Sequence, residues 1–199
     1  GYEVQGSDVS SSKIIDRLIS LGVKIYIGHD KNNIMNASIV VYSSAIKQNN
    51  PEIIEAKKLF IPIIHRSEML SELMKLKKSI AIAGTHGKTT TTSLISKILD
   101  TNKMDPTIIN GGIISSLASN AKLGQGQWMV VEADESDGSF AKLMPTIAVI
   151  TNIDLEHLDF HKNEKNLENA FINFISSIPF YGFCSVCIDH PRVQKIFSN

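Results

Sequence analysis

The chain has 199 residues, 43% of them hydrophobic and 20% charged, which is the composition of a globular protein with one large domain or two small ones. Twenty basic residues balance twenty acidic ones, so net charge favours neither nucleic acid nor an anionic membrane as a partner. No apolar run reaches the ~18 residues of a membrane-spanning helix, and the first residues lack a signal-peptide pattern. These features predict a cytoplasmic protein without membrane insertion, and a start at Gly1 rather than Met predicts a fragment or a processed piece.

Short apolar runs alternate with helical patterns in the first part of the chain. Three β-branched runs predict strands, and three other segments predict helices; the strands are Val23–Ile27, Ile39–Tyr42 and Ile61–Ile64, and the helices are Ser11–Leu21, Pro51–Leu59 and Ser67–Leu76. This alternation indicates an α/β fold whose parallel sheet is covered on both faces. The basic cluster Lys75, Lys77 and Lys78 indicates a solvated junction, which predicts one domain over residues 1–77 and another over 78–199.

The second domain opens with the most informative stretch of the sequence. An apolar run from Ser79 to Ala83 enters a glycine-flanked turn that ends in Gly87-Lys88-Thr89 and begins a helix over Thr89–Leu99. This strand, turn and helix predict a phosphate-binding loop, in which backbone N–H groups and the positive helix end surround phosphates. Lys88 would reach the outer phosphates, and the Thr89 hydroxyl would ligate Mg²⁺. The usual motif has glycine where Ile82 stands.

Acidic side chains follow two further apolar runs. Trp128–Val131 leads into Glu132, with Asp134 and Glu135 behind it, and Ile147–Thr151 leads towards His157 and Asp159. Parallel strands end at one edge of a sheet, so these groups are expected beside the phosphate loop, with Glu132 placed to hold Mg²⁺ directly or through water. His157 and Asp159 would approach the γ-phosphate or a second metal there. His161, four residues after His157, is weak support for zinc because no third ligand is evident.

Three segments carry weaker signals. Gly111 to Gly126 is rich in Gly, Ser and Asn, which indicates mostly a functional loop. Phe183–Ile188 predicts a buried strand after the predicted helix Glu164–Ile175, and Cys184 and Cys187 in that strand would face opposite sides as structural thiols. Gly6-Ser7-Asp8 follows the apparent end of a strand, where a dinucleotide-type fold places a polar residue near a ribose, but the preceding glycine-rich turn is absent.

Taken together, these motifs resemble the Mur ligase family, and the resemblance runs in order along nearly the whole chain. The segments that carry it are Gly6-Ser7-Asp8, Ser43-Ser44-Ala45-Ile46, Arg66 to Leu70, Ala83 to Thr92, Gly111-Gly112, Asn120-Ala121, Glu132 to Asp137, Leu143 with Pro145, and Thr151-Asn152-Ile153 with His157 and Asp159. The family's loop also lacks the early glycine, so Ile82 fits it. His86 within the loop is typical of the branch that adds alanine to a muramate.

The resemblance implies a partial Rossmann-like UDP-sugar domain without its first strand, followed by an incomplete ATPase domain with a mainly parallel sheet. It also implies ATP-dependent, Mg²⁺-assisted ligation of L-alanine to UDP-N-acetylmuramate through an acyl phosphate, in peptidoglycan synthesis and hence in cell shape and division. By the resemblance, ATP would be bound by Gly84, Thr85, His86, Gly87, Lys88, Thr89 and Thr90, and the UDP-sugar by Ser7, Asp8, Ser43, Ser44 and Asn120. The metal ligands would be Thr89, Glu132 and His157. The catalytic residues would be Lys88, Glu132 and His157.

Three other readings stay open from the sequence. The sister ligase that attaches a recycled tripeptide to the same UDP-muramate shares the loop with His86, although the run from Thr151 to His157 is closer to the alanine branch. The chain could instead bind nucleotide without turnover, because the family's third domain is missing. An unrelated phosphate-loop kinase or ATPase is the remaining alternative.

Overall fold

The computed structural model describes residues 2–114, 119–134, 138–156 and 161–197. The chain forms two compact units, Gly1–Arg66 and Ser67–Asn199. This division lies at a different place from the boundary at 77 and 78 that the basic cluster predicts, and that domain boundary stays a prediction. Among the described residues, no helix is long and apolar enough to cross a bilayer.

The first unit contains two short pairs of parallel strands. Strand β1 (Gln5–Asp8) pairs with β2 (Lys24–Ile27), and β3 (Val40–Tyr42) pairs with β4 (Ile63–His65). The predicted parallel arrangement is therefore confirmed, but within residues 2–66 no hydrogen-bonded ladder joins the two pairs into one sheet. Gly6, Ser7 and Asp8 lie inside β1, so placing them after the end of a strand was wrong. The apolar content of β1 is too low for the pattern to reveal it.

The helices of the first unit begin where capping chemistry allows. Helix α1 (Lys13–Ser20) starts after Ser12, whose hydroxyl accepts a hydrogen bond from Ile15 N at 3.3 Å. Helix α2 (Pro51–Lys58) starts with proline at its first position, and Asn50 Oδ1 accepts from Glu52 N at 2.8 Å. The buried apolar side chains of this unit are few, namely Ile15, Ile34, Ile53 and Ala56.

The second unit is built on one six-stranded sheet. Its strands are β5 (Lys78–Ala83), β6 (Thr107–Ile114), β7 (Ser119–Lys122), β8 (Trp128–Glu132), β9 (Ile147–Ile150) and β10 (Phe183–Val186), in the spatial order β10-β9-β5-β8-β6-β7. Every neighbouring pair is parallel except β6 and β7, which are antiparallel. The prediction of a mainly parallel sheet is confirmed. The helices are α3 (Arg66–Met74), α4 (Lys88–Thr101), α5 (Glu164–Ser176) and α6 (Pro191–Phe197).

Alternation along the central strands divides the core between the two faces of the sheet. On one face, small side chains of β5 and β9, such as Ala81 and Ala148, pack in a cluster that includes Phe140, Phe171 and Phe174. On the other face, Ile80, Ile82 and Val130 pack against Ile95 and Leu99 of α4. The small residues of β5 let large aromatic rings approach the sheet closely, which fixes this strand at its centre.

The segment from Gly111 to Gly126 corrects the prediction of a loop. Much of it is strand, because β6 continues to Ile114 and β7 pairs with it. The glycines reflect close approach rather than mobility: a Cβ on Gly111 would lie 3.2 Å from the Glu132 carboxyl carbon, and one on Gly126 would collide with Met104 O. Lys77 also differs from expectation, since its Nζ donates to Gly124 O at 2.6 Å and Gly126 O at 2.8 Å instead of facing solvent.

The predicted buried strand over Phe183–Ile188 is shorter and lies at the sheet edge. Strand β10 ends at Val186, and Phe183 and Ile188 are 58% and 66% exposed. Cys187 is exposed, whereas Cys184 packs against the core, and both thiols are free. Burial raises the pKa of the Cys184 thiol to about 11. Apolar composition alone does not distinguish an edge strand from a central one, because only the neighbouring strands decide which faces are covered.

Candidate functional site

The loop between β5 and α4 has the backbone of a phosphate-binding turn. Gly84 and Gly87 both adopt left-handed conformations, with φ of 133° and 78°. Gly87 directly precedes the first helical residue, Lys88, and offers no side-chain cap to the helix. The first N–H groups of α4 have no acceptor within the helix, and they lie at the positive end of its dipole. The turn therefore presents several donors to an anion.

Lys88 lies over this loop. Its Nζ donates to Gly84 O at 2.7 Å and to Thr85 O at 3.2 Å, so the ammonium group is held at the mouth of the turn. An arriving phosphate would bring stronger, charge-assisted partners to the same group.

Glu132 and Thr89 are brought together as the sequence predicts. Thr89 Oγ1 donates to the two carboxylate oxygens of Glu132 at 3.0 and 3.1 Å. Gly111 N donates to Glu132 Oε2 at 2.9 Å, so the carboxylate is fixed from two sides. A Cβ at position 111 would lie 3.2 Å from the Glu132 carboxyl carbon, so any side chain there would require this carboxylate to shift. A hydroxyl and a carboxylate at the first turn of α4 form a hard-oxygen donor set suited to Mg²⁺.

The chain that follows β9 closes the loop from the other side. Asn152 Oδ1 accepts from His86 N at 2.8 Å, and Asn152 Nδ2 donates to His86 O at 2.9 Å. Thr85 N donates to Asn152 O at 3.1 Å, and Thr151 Oγ1 donates to His86 O at 2.7 Å. Because β5, β8 and β9 are adjacent and parallel, their carboxyl ends meet at one edge of the sheet, and the prediction of a shared edge is confirmed.

The His86 imidazole lies near acidic groups. Its Nε2 is 3.6 Å from Asp154 Oδ2 and 3.5 Å from Glu156 Oε1, and all three side chains are well exposed. The other oxygen of Asp154 is 3.3 Å from His190 Nε2, just before α6. Asp154 N also donates to Thr85 Oγ1 at 2.8 Å. These contacts tie the phosphate loop to the segment after β9 by side chains as well as by backbone.

Of the candidate sugar-binding residues in the first unit, Ser7 belongs to a polar cluster around the Glu52 carboxylate. Ser7 Oγ donates to Glu52 Oε2 at 2.7 Å and lies 3.0 Å from His29 Nδ1, and Asn33 Nδ2 donates to Glu52 Oε1 at 2.8 Å. Asp8, at the end of β1, is exposed. Ser43 and Ser44 follow β3, and Ser44 Oγ lies 3.1 Å from His65 Nε2. Asp8, Ser43 and Ser44 thus lie at or just after the carboxyl ends of β1 and β3, whereas Glu52 comes from the first turn of α2.

Several predicted site residues either lie outside the described residues or lie away from the phosphate loop and Glu132. Asn120 is exposed on β7, which pairs antiparallel with β6. His157, Asp159 and Glu135 lie outside the described residues. His161 is 5% exposed, and its carbonyl accepts from Asn166 Nδ2, which favours a structural role. Within the described ranges, no group of three or more His, Cys, Asp or Glu side chains is arranged to hold a metal ion.

Sequence reasoning assigned no role to Thr151, Asn152 or Asp154. They belong to a polar run directly after an apolar strand, and that position is a usable signal. The hydrogen bonds from the Asn152 carboxamide to the His86 backbone cannot be predicted from the sequence, because they depend on β9 lying next to β5.

Comparison with known proteins agrees with this geometry. The family model of the Mur ligase catalytic domain matches residues 1–78, and that of the Mur ligase middle domain matches residues 82–199. The UDP-N-acetylmuramate–L-alanine ligase of Brucella anthropi is 54% identical over 199 residues, which is 100% of this chain and 42% of that protein.

Solved structures show the same architecture. The UDP-N-acetylmuramate–alanine ligase of Thermotoga maritima matches with a TM-score of 0.85 and 28% identity, over 97% of this chain and 45% of that one. A UDP-N-acetylmuramate:L-alanyl-γ-D-glutamyl-meso-diaminopimelate ligase from Neisseria meningitides also has a TM-score of 0.85, at 24% identity, over 99% of this chain and 67% of that one, and shows likeness of fold alone. The chain spans 42% of the length of the Brucella relative. With both family models matched in order along its length, the chain belongs to the Mur ligase family.

Proposed function

We propose that this chain carries the UDP-sugar-binding and ATP-binding parts of a cytoplasmic ligase that joins L-alanine to UDP-N-acetylmuramate in peptidoglycan synthesis. The observation that carries the proposal is the 54% identity, over all 199 residues, to a relative with that name. The loop geometry supports it independently, because donors, a lysine and a hydroxyl–carboxylate pair converge at one sheet edge.

In this proposal the residues from Gly84 to Thr90 bind ATP. Lys88 Nζ would exchange the carbonyl oxygens of Gly84 and Thr85 for the outer phosphates, where its positive charge pairs with an anion. The first-turn N–H groups of α4 would add neutral donors and the helix dipole.

Thr89 and Glu132 would hold Mg²⁺, with His157 serving a second ion. The fit is favourable for the first pair, since the Thr89 hydroxyl already lies 3.0 Å from a Glu132 oxygen, and Mg²⁺ commonly takes one or two protein oxygens together with phosphates. The bound ions would neutralise charge on the phosphates during in-line transfer. Glu132 is kept in position for this by Gly111 N, at 2.9 Å.

Ser7, Asp8, Ser43, Ser44 and Asn120 would contact UDP-N-acetylmuramate. In the reaction, a substrate carboxylate oxygen attacks the γ-phosphorus of ATP, the bond to ADP breaks, and an acyl phosphate forms. The amine of L-alanine then attacks the acyl carbon, phosphate leaves, and the nitrogen loses a proton. Phosphorylation is required because a free carboxylate is a poor acyl donor.

A hybrid enzyme tests this proposal. The chain would replace the matching segment of the Brucella anthropi ligase, which it matches over 199 residues, and amide formation and ATP use would be measured. We expect L-alanine-dependent phosphate release from the hybrid. Lys88→Ala should raise the Kd for Mg²⁺–ATP at least tenfold with an unchanged melting temperature, since about 1.4 kcal/mol per tenfold is modest for a charged contact. Lys97→Ala, an exposed lysine on the same helix, is the matched control.

His157→Ala in the hybrid tests the metal role of that residue. Turnover should fall far more than the melting temperature does. Normal turnover per folded molecule together with a large loss of stability would instead assign His157 a structural role.

Two alternatives have their own outcomes. A hybrid that accepts the L-alanyl-γ-D-glutamyl-meso-diaminopimelate tripeptide in preference to L-alanine would favour the recycling ligase; the fold likeness at a TM-score of 0.85 motivates that control.

The 199-residue chain by itself should bind Mg²⁺–ATP without forming amide, since closure of a further domain assembles such sites and lost positioning costs effective molarities of roughly 10⁵ M or more. Amide formation by the chain alone would contradict this expectation.

A further inference from the structure

We propose that Asn152 is a positioning residue for the nucleotide. Its side-chain amide bonds both the N–H and the carbonyl oxygen of His86, and this fixes the direction in which the first turn of α4 meets the phosphates. The inference rests on the proposed ATP binding, and it concerns a residue that reaches the nucleotide only through the loop.

The contact between Asn152 and His86 is made at both ends of the carboxamide. Oδ1 accepts from His86 N at 2.8 Å while Nδ2 donates to His86 O at 2.9 Å. The Asn152 backbone adds a third bond, from Thr85 N to its carbonyl oxygen at 3.1 Å. Three backbone atoms of two consecutive loop residues, Thr85 N, His86 N and His86 O, are thus bonded by Asn152, and the neighbouring Thr151 hydroxyl also donates to His86 O.

This arrangement decides which loop donors remain for phosphate. The N–H groups of Thr85 and His86 are already bonded to Asn152. Within α4, the earliest helical bond runs from Thr91 N to Gly87 O, so the preceding N–H groups have no intrahelical acceptor. The phosphates would therefore be bound by the first turn of α4. The direction of that turn is set by the backbone of His86, which Asn152 holds in place.

Glycine at position 84 allows this approach. A Cβ there would collide with Thr151 Oγ1 and would lie 2.9 Å from Asn152 O and 3.0 Å from Asn152 N. The backbone of β9 and its continuation thus lie against the loop without any intervening side chain.

The chemistry requires an amide at position 152. A carboxamide supplies an acceptor and a donor side by side, which matches the backbone N–H and C=O of a single residue such as His86. Aspartate has the same shape and keeps the acceptor, but it would place an anionic oxygen against His86 O and add negative charge beside the phosphates. Alanine would leave the His86 N–H and carbonyl without these partners.

The test uses the 199-residue chain and Mg²⁺–ATP titrations by calorimetry, well below the melting temperature. Asn152→Ala should raise the Kd about tenfold or more, as expected for a lost pair of hydrogen bonds at a charged site, and Asn152→Asp should raise it further. Asn102→Ala is the matched control, because Asn102 Nδ2 also bonds a backbone oxygen, Ile98 O at 2.8 Å, at the opposite end of α4. The control should stay within twofold of the unmodified chain.

Two readouts separate positioning from simple structural support. Amide hydrogen exchange at His86, followed by NMR, should accelerate in Asn152→Ala and remain slow in Asn102→Ala. In the Brucella hybrid, Asn152→Ala should raise the KM for ATP and leave the KM for L-alanine unchanged. If Asn152→Ala does not fold, Asn152→Asp keeps the shape and one acceptor and serves as the measured variant.

The outcomes are distinguishable from those of the proposed function. If the unmodified chain and the hybrid do not bind Mg²⁺–ATP, the proposed function fails. If both bind it, and a folded Asn152 variant binds with an unchanged Kd despite faster exchange at His86, the positioning role is overturned. A fall in melting temperature with no change in Kd would likewise leave Asn152 as a structural residue.

Discussion

The two units of this chain place polar side chains at strand ends in different ways. In residues 67–199, three adjacent strands of one sheet bring the loop, Glu132 and Asn152 to a common edge. In residues 1–66, two separate strand pairs support a polar cluster around Glu52, and only four apolar residues are buried. Buried apolar area is the main source of stability, so the second unit has the more rigid scaffold for its site.

The comparison shows how a rigid frame can hold a strained loop. Left-handed backbone at Gly84 and Gly87 is tolerated because the buried strand β5 fixes one end of the turn and helix α4, packed on the sheet, fixes the other. The cluster in the first unit depends more on hydrogen bonds between side chains, which are individually worth less than a packed core. The following substitutions are expected to separate the two cases.

The largest effect should come from the core of the second unit. Phe171 is fully buried, and its ring centroid lies 4.9 Å from that of Phe140, so Phe171→Ala should cost about 3–5 kcal/mol of unfolding free energy. Urea unfolding followed by the fluorescence of Trp128, the single tryptophan, reports on this unit. Ile53→Ala in the first unit should shift the Trp128 transition less. Equal shifts would mean that the two units unfold together.

Substituting one glycine in each unit separates the cost of a positive φ from the cost of a close contact with the phosphate loop. Gly84→Ala combines a left-handed φ with a collision against Thr151, and should cost about 3 kcal/mol or more and abolish Mg²⁺–ATP binding. Gly22 also has a positive φ, 86°, but nothing lies within 4 Å of its added Cβ, so Gly22→Ala should cost about 1 kcal/mol. Chemical denaturation of both variants gives the difference. Similar costs would show that the contact with Thr151 does not matter.

The polar cluster of the first unit should be more weakly stabilising. Glu52→Ala removes the carboxylate that accepts from Ser7 Oγ and Asn33 Nδ2, and should cost about 1–3 kcal/mol because both donors lose a charged acceptor. Glu55→Ala on the same helix removes a pair with the exposed Lys58 and should cost less than about 1 kcal/mol. Tyrosine-region and far-ultraviolet circular dichroism during thermal unfolding measures both. A null result for Glu52→Ala would mean that water replaces the cluster without loss.

The smallest effect concerns how fast the two cysteine thiols at the sheet edge are alkylated. Because burial raises the pKa of Cys184 to about 11, its thiol stays protonated at pH 8, and the thiolate that reacts with iodoacetamide is scarce. Cys187 is exposed and should be alkylated at least about ten times faster, as measured by mass spectrometry of peptides. In urea the two rates should converge. Equal rates in the folded chain would show that β10 opens readily.

Much of the fold was predictable because the local patterns were strong. The apolar run before Gly84, the Gly87-Lys88-Thr89 turn and most of the parallel strands were correctly predicted from residue order, whereas β1 and β6 were not. The segment from Gly111 to Gly126 was not, since glycine needed for close approach to Glu132 looks the same in sequence as glycine in a loop. The edge position of β10 was also hidden, because apolar alternation does not record which neighbours a strand has.

By itself, the sequence determined the family and the phosphate loop, because both depend on residue types at short and regular spacings, and it predicted that Thr89 and Glu132 share one sheet edge because each lies next to the end of an apolar strand. Only the tertiary structure decided that Asn152, 66 residues after His86, bonds both the backbone N–H and the carbonyl oxygen of His86. That contact exists because β9 lies beside β5 in the sheet. Such long-range neighbours are set by the packing of the whole unit, which no local pattern encodes.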